Sequence, residues 1–312
     1  MEKNKEKYLD LENDPVVKKV IDTYKDVIKV RKPVRNPDLM LKILRDEYKL
    51  LVKPYIVYIT VAAFMNNRPV LYEGPPGTGK TEIGEAILTL WSGKSAFVLP
   101  CSENYDEYRV IGDFHPAMAM AKGFNEESFI PRPLLAALIL DTGVLIDEIR
   151  RSNEDFQNLL LDIIDKRRII IPELKKVYVQ KGNGFQIIFT SNPLDIAQNE
   201  LSDAFLRRVI RIEFKYPSLE EEYSIIKLRL GNLISKLDDQ IISKALKIVR
   251  IMREKALYKP GTADLVSWLT LTVLLADSKN KKKADIKDLI EAGYAILYKN
   301  TEDEELVNDV LK

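Results

Sequence analysis

The run Gly74-Pro75-Pro76-Gly77-Thr78-Gly79-Lys80-Thr81 has the residue types and spacing needed to hold a chain of phosphates. It fits G-x-x-x-x-G-K-[ST], the Walker A loop. Glycines let backbone N–H groups close around phosphate oxygens with no Cβ in the way. Lys80 brings a point charge to the β- and γ-phosphates, and the Thr81 hydroxyl is placed to bind Mg2+. The helical run that begins at Glu82 adds its N-terminal dipole. A second group is Asp147-Glu148, which ends the apolar run Val144-Leu145-Ile146. In a nucleotide hydrolase such an aspartate holds Mg2+, directly or through water, and the adjacent glutamate positions the attacking water. The pair also reads as a polar cap on a strand, with Ser152 as N-cap of the next helix.

Asn192 ends another apolar strand, where it can orient water or contact a phosphate oxygen. It can equally begin an Asn-Pro turn. Arg207-Arg208 follows Leu201-Ser202-Asp203-Ala204-Phe205-Leu206. A solvated basic pair on a helix end and an arginine finger reaching a neighbour's nucleotide are both open readings.

The elements that must position these residues alternate. Pro69 to Glu73 reads as a buried strand leading into the loop, and Ile83, Ile87 and Trp91 are spaced for one buried helix face. Phe97 to Leu99, Val144 to Ile146, Phe185 to Thr190 and Val209 to Phe214 are further strands. Apolar strands separated by helices predict a parallel sheet covered on both faces. Ligands of such sheets sit at the carboxyl ends of the strands, where Gly74, Asp147, Glu148 and Asn192 fall. The fold expected is α/β: a P-loop three-layer core with a parallel five-stranded sheet, then a small all-helical lid. The core spans residues 37–216, with helices at Leu39 to Val52 and Pro54 to Met65. The lid spans 217–312, with helices at Leu219 to Leu230, Ile241 to Lys255, Thr262 to Asp277 and Ile286 to Tyr298. Residues 1–36 read as a charged helical extension ending near Pro33 and Pro37.

The chain has 312 residues, 46% hydrophobic and 30% charged, with a formal net charge of +1. Its bulk charge selects neither nucleic acid nor membrane. The single cysteine, Cys101, excludes an internal disulfide, and with one histidine, His115, it argues against zinc. The charged start is not a signal peptide, no apolar stretch spans a bilayer, and the chain reads as intracellular, in the cytoplasm.

These elements, in this order, resemble the AAA+ ATPase superfamily, and within it the MoxR branch. Arg68 to Glu73 is similar to that branch's strand before the loop. Asp147-Glu148-Ile149-Arg150-Arg151 is close to D-E-I-N-R, with Arg150 at the asparagine. Leu201 to Val209 matches L-P-E-A-x-L-D-R-F in outline, with Val209 at the phenylalanine. The resemblance implies ATP and Mg2+ as cofactors, with Gly74 to Glu82 on the nucleotide and Thr81 and Asp147 on the metal. It makes Glu148 the catalytic base, Asn192 sensor 1 and Arg208 the finger. It further implies a hexameric homo-oligomeric ring, a protein client and a partner with a von Willebrand factor A domain. Arg109 to Pro131 looks like the helix-2 insert, in which His115 reads as a surface or packing residue. Leu265 falls where many relatives carry a sensor-2 arginine.

The favoured function is an ATPase that remodels or activates a protein client. One alternative is a nucleic-acid translocase or helicase subunit, with Lys166-Arg167-Arg168 and Lys175-Lys176 flanking a hairpin. Another is a ring scaffold gated by nucleotide without turnover. A guanine switch is disfavoured because N-K-x-D does not occur.

Overall fold

The computed structural model describes residues 13–103, 106–193 and 199–312. Helices α1 (Pro15–Tyr24), α2 (Pro37–Asp46) and α3 (Pro54–Met65) precede β1 (Val70–Glu73), α4 (Lys80–Ser92) and β2 (Phe97–Pro100). Next come α5 (Glu107–Val110), β3 (Gly112–Phe114), α6 (Pro116–Lys122), β4 (Phe129–Pro131) and α7 (Pro133–Leu140). They are followed by β5 (Val144–Asp147), α8 (Glu154–Lys166), β6 (Arg168–Ile171), β7 (Lys176–Val179), β8 (Ile187–Ser191), α9 (Asp203–Leu206) and β9 (Ile210–Glu213). Helices α10 (Leu219–Leu230), α11 (Asp239–Lys255), α12 (Thr262–Ser278), α13 (Ile286–Leu297) and α14 (Glu304–Leu311) complete the chain. Two compact units divide it. One holds residues up to Ile43, Val52–Glu73 and Thr81–Glu213; the other holds Leu44–Leu51, Gly74–Lys80 and Phe214–Lys312.

The first unit is built on a five-stranded sheet in the order β2-β5-β8-β1-β9. Every pairing in it is parallel. Val144, Leu145 and Ile146 of β5 and Ile187, Ile188 and Phe189 of β8 are all 0% exposed. Side chains alternate between faces along a strand, so complete burial of consecutive residues means that both faces are covered. Each such side chain contributes about 1.5–3 kcal/mol on burial. In register, Tyr72 stands beside Thr190 and Ile212, which aligns the carboxyl ends of β1, β8 and β9.

Two antiparallel hairpins sit outside the sheet. One is β3 with β4, enclosing α6, and the other is β6 with β7. The α1 helix is anchored to both regions. Asp14 caps it by accepting the N–H groups of Val16 and Val17. Lys176 of β7 pairs with Asp14 at 2.6 Å and with Glu126, before β4, at 2.7 Å. Val16 and Val20, one helical turn apart, are wholly buried.

Within the second unit, α10 to α14 enclose a core of Leu265, Trp268, Leu269, Val273 and their neighbours. The Trp268 indole donates to the Leu289 carbonyl at 2.8 Å, so its one polar group is satisfied in the interior. Capping boxes start α10 at Ser218 and α13 at Asp285. The α2 helix stops at Asp46, short of the expected Val52. Lys49 adopts φ 57, and the Leu50 N–H returns to the Leu44 carbonyl at 2.8 Å, a left-handed close to the helix.

Candidate functional site

Asp147 is the last residue of β5, and its Oδ1 is the focus of the carboxyl-end cluster. The Thr81 hydroxyl donates to it at 2.8 Å and the Thr190 hydroxyl at 2.5 Å. Thr190 also accepts the Glu148 N–H at 2.9 Å, so one hydroxyl ties β8 to both carboxylate residues. Glu148 takes left-handed backbone angles, φ 54 and ψ 51, at the start of the 3-10 turn Ile149–Arg151. That conformation is uncommon for a side chain with a Cβ. The Glu148 carboxylate is met by Nε of Arg151 at 2.6 Å while remaining 41% exposed. Asn192 follows β8 directly and is half-buried.

The glycine-rich loop is shaped as its spacing predicts. Gly77 and Gly79 have φ of 70 and 84, which a side chain would oppose. Lys80 Nζ donates to the Gly74 and Pro75 carbonyls, each at 2.8 Å, and the Thr78 hydroxyl donates to the Pro75 carbonyl at 2.9 Å. Glu82 stands in the first turn of α4. In the same unit, a Cβ built on Gly77 would lie 2.4 Å from the Gly261 Cα. The Thr262 N–H donates to the Gly77 carbonyl at 3.0 Å. Below this contact, Thr262 also donates to Glu222 at 3.2 Å, and Glu222 pairs with Arg253 at 2.8 Å. Leu265 is 0% exposed in the core of the same unit. The place expected for a sensor-2 arginine is therefore a packing position here.

Arg208 follows the end of α9 and is partly exposed. Its Nε donates to both oxygens of Asp165 at 2.9 Å, and its Nη1 donates to the Ala204 carbonyl at 2.8 Å. Arg68 donates to the Arg207 and Arg208 carbonyls at 2.8 and 3.1 Å, which fixes the backbone of the pair. The Arg207 residue itself is exposed. His115 is exposed at the N-terminus of α6 and makes no capping bond, in keeping with a surface residue. Cys101, after β2, is buried and free. Burial, followed by the charges of Asp147 and Glu148, pushes its thiol up to about 12.

The residues that sequence reasoning missed are partners rather than motif members. They are Thr190, which orders the two acids; Glu73, which pairs with Arg150 at 2.9 Å and also with Arg211; and Asp165. The basic hairpin is less available than its composition suggests. Lys176 is paired with two acids, and Arg167 is turned inward, donating to the Gln186 side chain at 2.9 Å and the Asn67 carbonyl at 2.7 Å.

Thr81 and Asp147 fit a magnesium ion. Their oxygens are 2.8 Å apart, close to the roughly 2.9 Å between adjacent ligands of an octahedral ion with bonds of about 2.0–2.1 Å. A site with so few protein oxygens is typical of Mg2+ bound together with substrate phosphates.

Known proteins resemble this chain over the stretch that holds the site. The profile of the AAA domain (dynein-related subfamily) matches residues 69–209. YehL of Escherichia coli (strain K12) is 24% identical over 217 residues, covering 66% of this chain and 59% of YehL. The gas vesicle ATPase GvpN of Ancylobacter aquaticus is 24% identical over 177 residues, covering 52% of this chain and 50% of GvpN. This chain thus spans half to three-fifths of those relatives' lengths. A Thermotoga maritima RuvB structure shares the fold, with a TM-score of 0.52 at 16% identity over 89% of this chain and 77% of that one. Residues 69–209, the stretch that holds the loop, the paired acids and Arg208, thus form an AAA domain of the dynein-related, MoxR-like kind.

Proposed function

We propose that this protein is an Mg2+-dependent ATPase of the MoxR type, which hydrolyses ATP to ADP and phosphate and uses the cycle to remodel or activate a protein client. The observation that carries the reading is the Asp147 cluster. Two threonine hydroxyls converge on one carboxylate oxygen, and the same Thr190 holds the backbone of Glu148. The glycine-rich loop with Lys80 takes the phosphates, and Thr81 and Asp147 take the metal, which when bound neutralises developing phosphate charge. Glu148 then holds the attacking water and accepts its proton, with Asn192 orienting that water or a phosphate oxygen.

The same reading places several copies in a homo-oligomeric ring, a hexamer in this branch, so that an arginine from one subunit serves its neighbour's nucleotide. A partner with a von Willebrand factor A domain is the associated class. The engagement of Lys176 by Asp14 and Glu126 supports a protein client over a nucleic-acid track, because the hairpin presents less free positive charge. The deciding experiment compares phosphate release by the wild type and Glu148→Gln. The variant is expected to bind nucleotide and to lose turnover by about 10²-fold or more. Equal rates would remove Glu148 from the chemistry, and absence of turnover in the wild type would leave only a scaffold.

A further inference from the structure

Glu73 ends β1 and directly precedes the glycine-rich loop. Its side chain is only 4% exposed, a setting in which an unpaired carboxylate carries a large desolvation cost. Each of its oxygens has its own guanidinium. Oε1 accepts from Nη2 of Arg150 at 2.9 Å, and Oε2 meets Nε of Arg211 on β9. Arg150 does more than neutralise this charge. Its Nε donates to the Ser191 hydroxyl at 2.8 Å, and its carbonyl accepts the Asn199 N–H at 2.9 Å.

One residue therefore joins the ends of three adjacent strands: β5 through the chain, β8 through Ser191 and β1 through Glu73. It lies two positions after Glu148, and it grips the residue immediately before Asn192. Asparagine, usual at this place in the D-E-I-N-R motif, has a short amide with two donors. Arginine has the reach and the planar set of five donors to span two strands at once. A planar group held through two of its nitrogens has little freedom left, so the backbone it grips is held with it.

We propose that Arg150 is a positioning residue that uses the buried Glu73 carboxylate as its anchor and sets Asn192 against Glu148. The inference rests on the hydrolytic reading of those two residues. It concerns how they are held, which the hydrolytic reading leaves open.

The test uses the full chain and the variants Arg150→Gln, Arg150→Lys, Ser191→Ala, Asn192→Ala and Arg150→Gln with Asn192→Ala. Arg150→Gln is expected to lower kcat about 10–100-fold, the usual cost of misplacing a reacting group. The Kd for a fluorescent ATP analogue should stay within about threefold, because ground-state binding is not what Arg150 controls. Arg150→Lys keeps the charge beside Glu73 but loses the fork, and should recover only part of the rate. The double variant should be no slower than Asn192→Ala alone, since both changes act through one group.

Hydrogen exchange in the nucleotide-free protein gives a readout that needs no turnover. Arg150→Gln should speed exchange at Ser191, Asn192 and Asn199 and leave α4 unchanged. If Arg150→Gln does not fold, Ser191→Ala, which removes a single contact, carries the same exchange measurement. Multiplicative losses in the double variant, or unchanged exchange at Ser191 and Asn192, would overturn the assignment. A wild type that binds ATP but does not cleave it would instead refute the hydrolytic reading, and the exchange data would still decide the anchoring.

Discussion

Arg208, just after α9, and Asp165 of α8 form a forked ion pair, with Nε and Nη2 of the arginine both within 2.9 Å of the carboxylate. The arginine expected to serve a neighbouring nucleotide is thus engaged within its own chain. The pair is solvent-facing, and exposed ion pairs contribute little to stability, so a triphosphate can compete for the guanidinium at small cost. Arg208→Ala should reduce ATP turnover about 10³-fold or more if it acts on transition-state charge. Mixing it with Glu148→Gln subunits should restore part of the rate, because some interfaces then combine an intact glutamate with an intact arginine. Phosphate release measured across mixing ratios checks this, and a flat line at every ratio would remove Arg208 from the shared site. Asp165→Asn should stay within about threefold of wild type, as the loss of a surface partner predicts.

Gly77 and Gly261 leave no room for a methyl group between their backbones. A Cβ on Gly261 would stand 2.4 Å from the Gly77 Cα, against an ordinary carbon–carbon contact of about 3.5–4.0 Å. Gly261→Ala must therefore push the loop and the start of α12 apart by roughly an ångström. A fall of at least about tenfold in affinity for a fluorescent ATP analogue is expected, since the loop geometry sets phosphate binding. An unchanged titration would show that the two backbones separate without consequence.

Thr81→Ala removes one of the two hydroxyls on Asp147 and one oxygen offered to the metal. Its ATP turnover should need more Mg2+ than the wild type's, while Thr190→Ala should leave the Mg2+ midpoint nearly unmoved and lower the rate by loosening Glu148. Chelation with EDTA should abolish turnover in all three proteins and be reversed by added Mg2+. Magnesium titrations of steady-state rate distinguish these outcomes.

Asp288 gives a pH dependence of known sign. Burial alone would raise its pKa, but the ammonium groups of Lys281 and Lys279 and the Asp285 N–H outweigh it, holding the carboxyl well below the usual range. A depressed folded pKa stabilises fully above the unfolded value of about 3.9 and loses that stabilisation as pH falls toward the folded value. Asp288→Asn should lower the urea midpoint at pH 7, and the gap to wild type should close as the pH drops below about 4. A gap that stays constant down to pH 2 would assign the effect to packing.

The parts of this molecule legible in its sequence are those with local signatures. Short apolar or alternating runs marked all five strands of the sheet, and the Walker A pattern marked the loop, because both depend on neighbours in the chain. The Glu73–Arg150 pair joins residues 77 positions apart, and no spacing rule announces it. The α14 helix was missed for a different reason. Its apolar anchors are few, Val307 and Leu311 among them, and the acidic run Glu302 to Glu305 reads as a solvated tail until the surrounding helices supply a surface. The early stop of α2 depends on a single left-handed lysine, which propensity does not foresee.

Cys101 has a practical consequence. Burial and a raised pKa both oppose reaction of this thiol with maleimides, so labelling of the native chain is expected to be slow. Met120 is 90% exposed on α6, and a cysteine placed there would be the more reactive handle for a dye. Single-molecule fluorescence through the nucleotide cycle can then be recorded on protein whose natural interior has been left untouched.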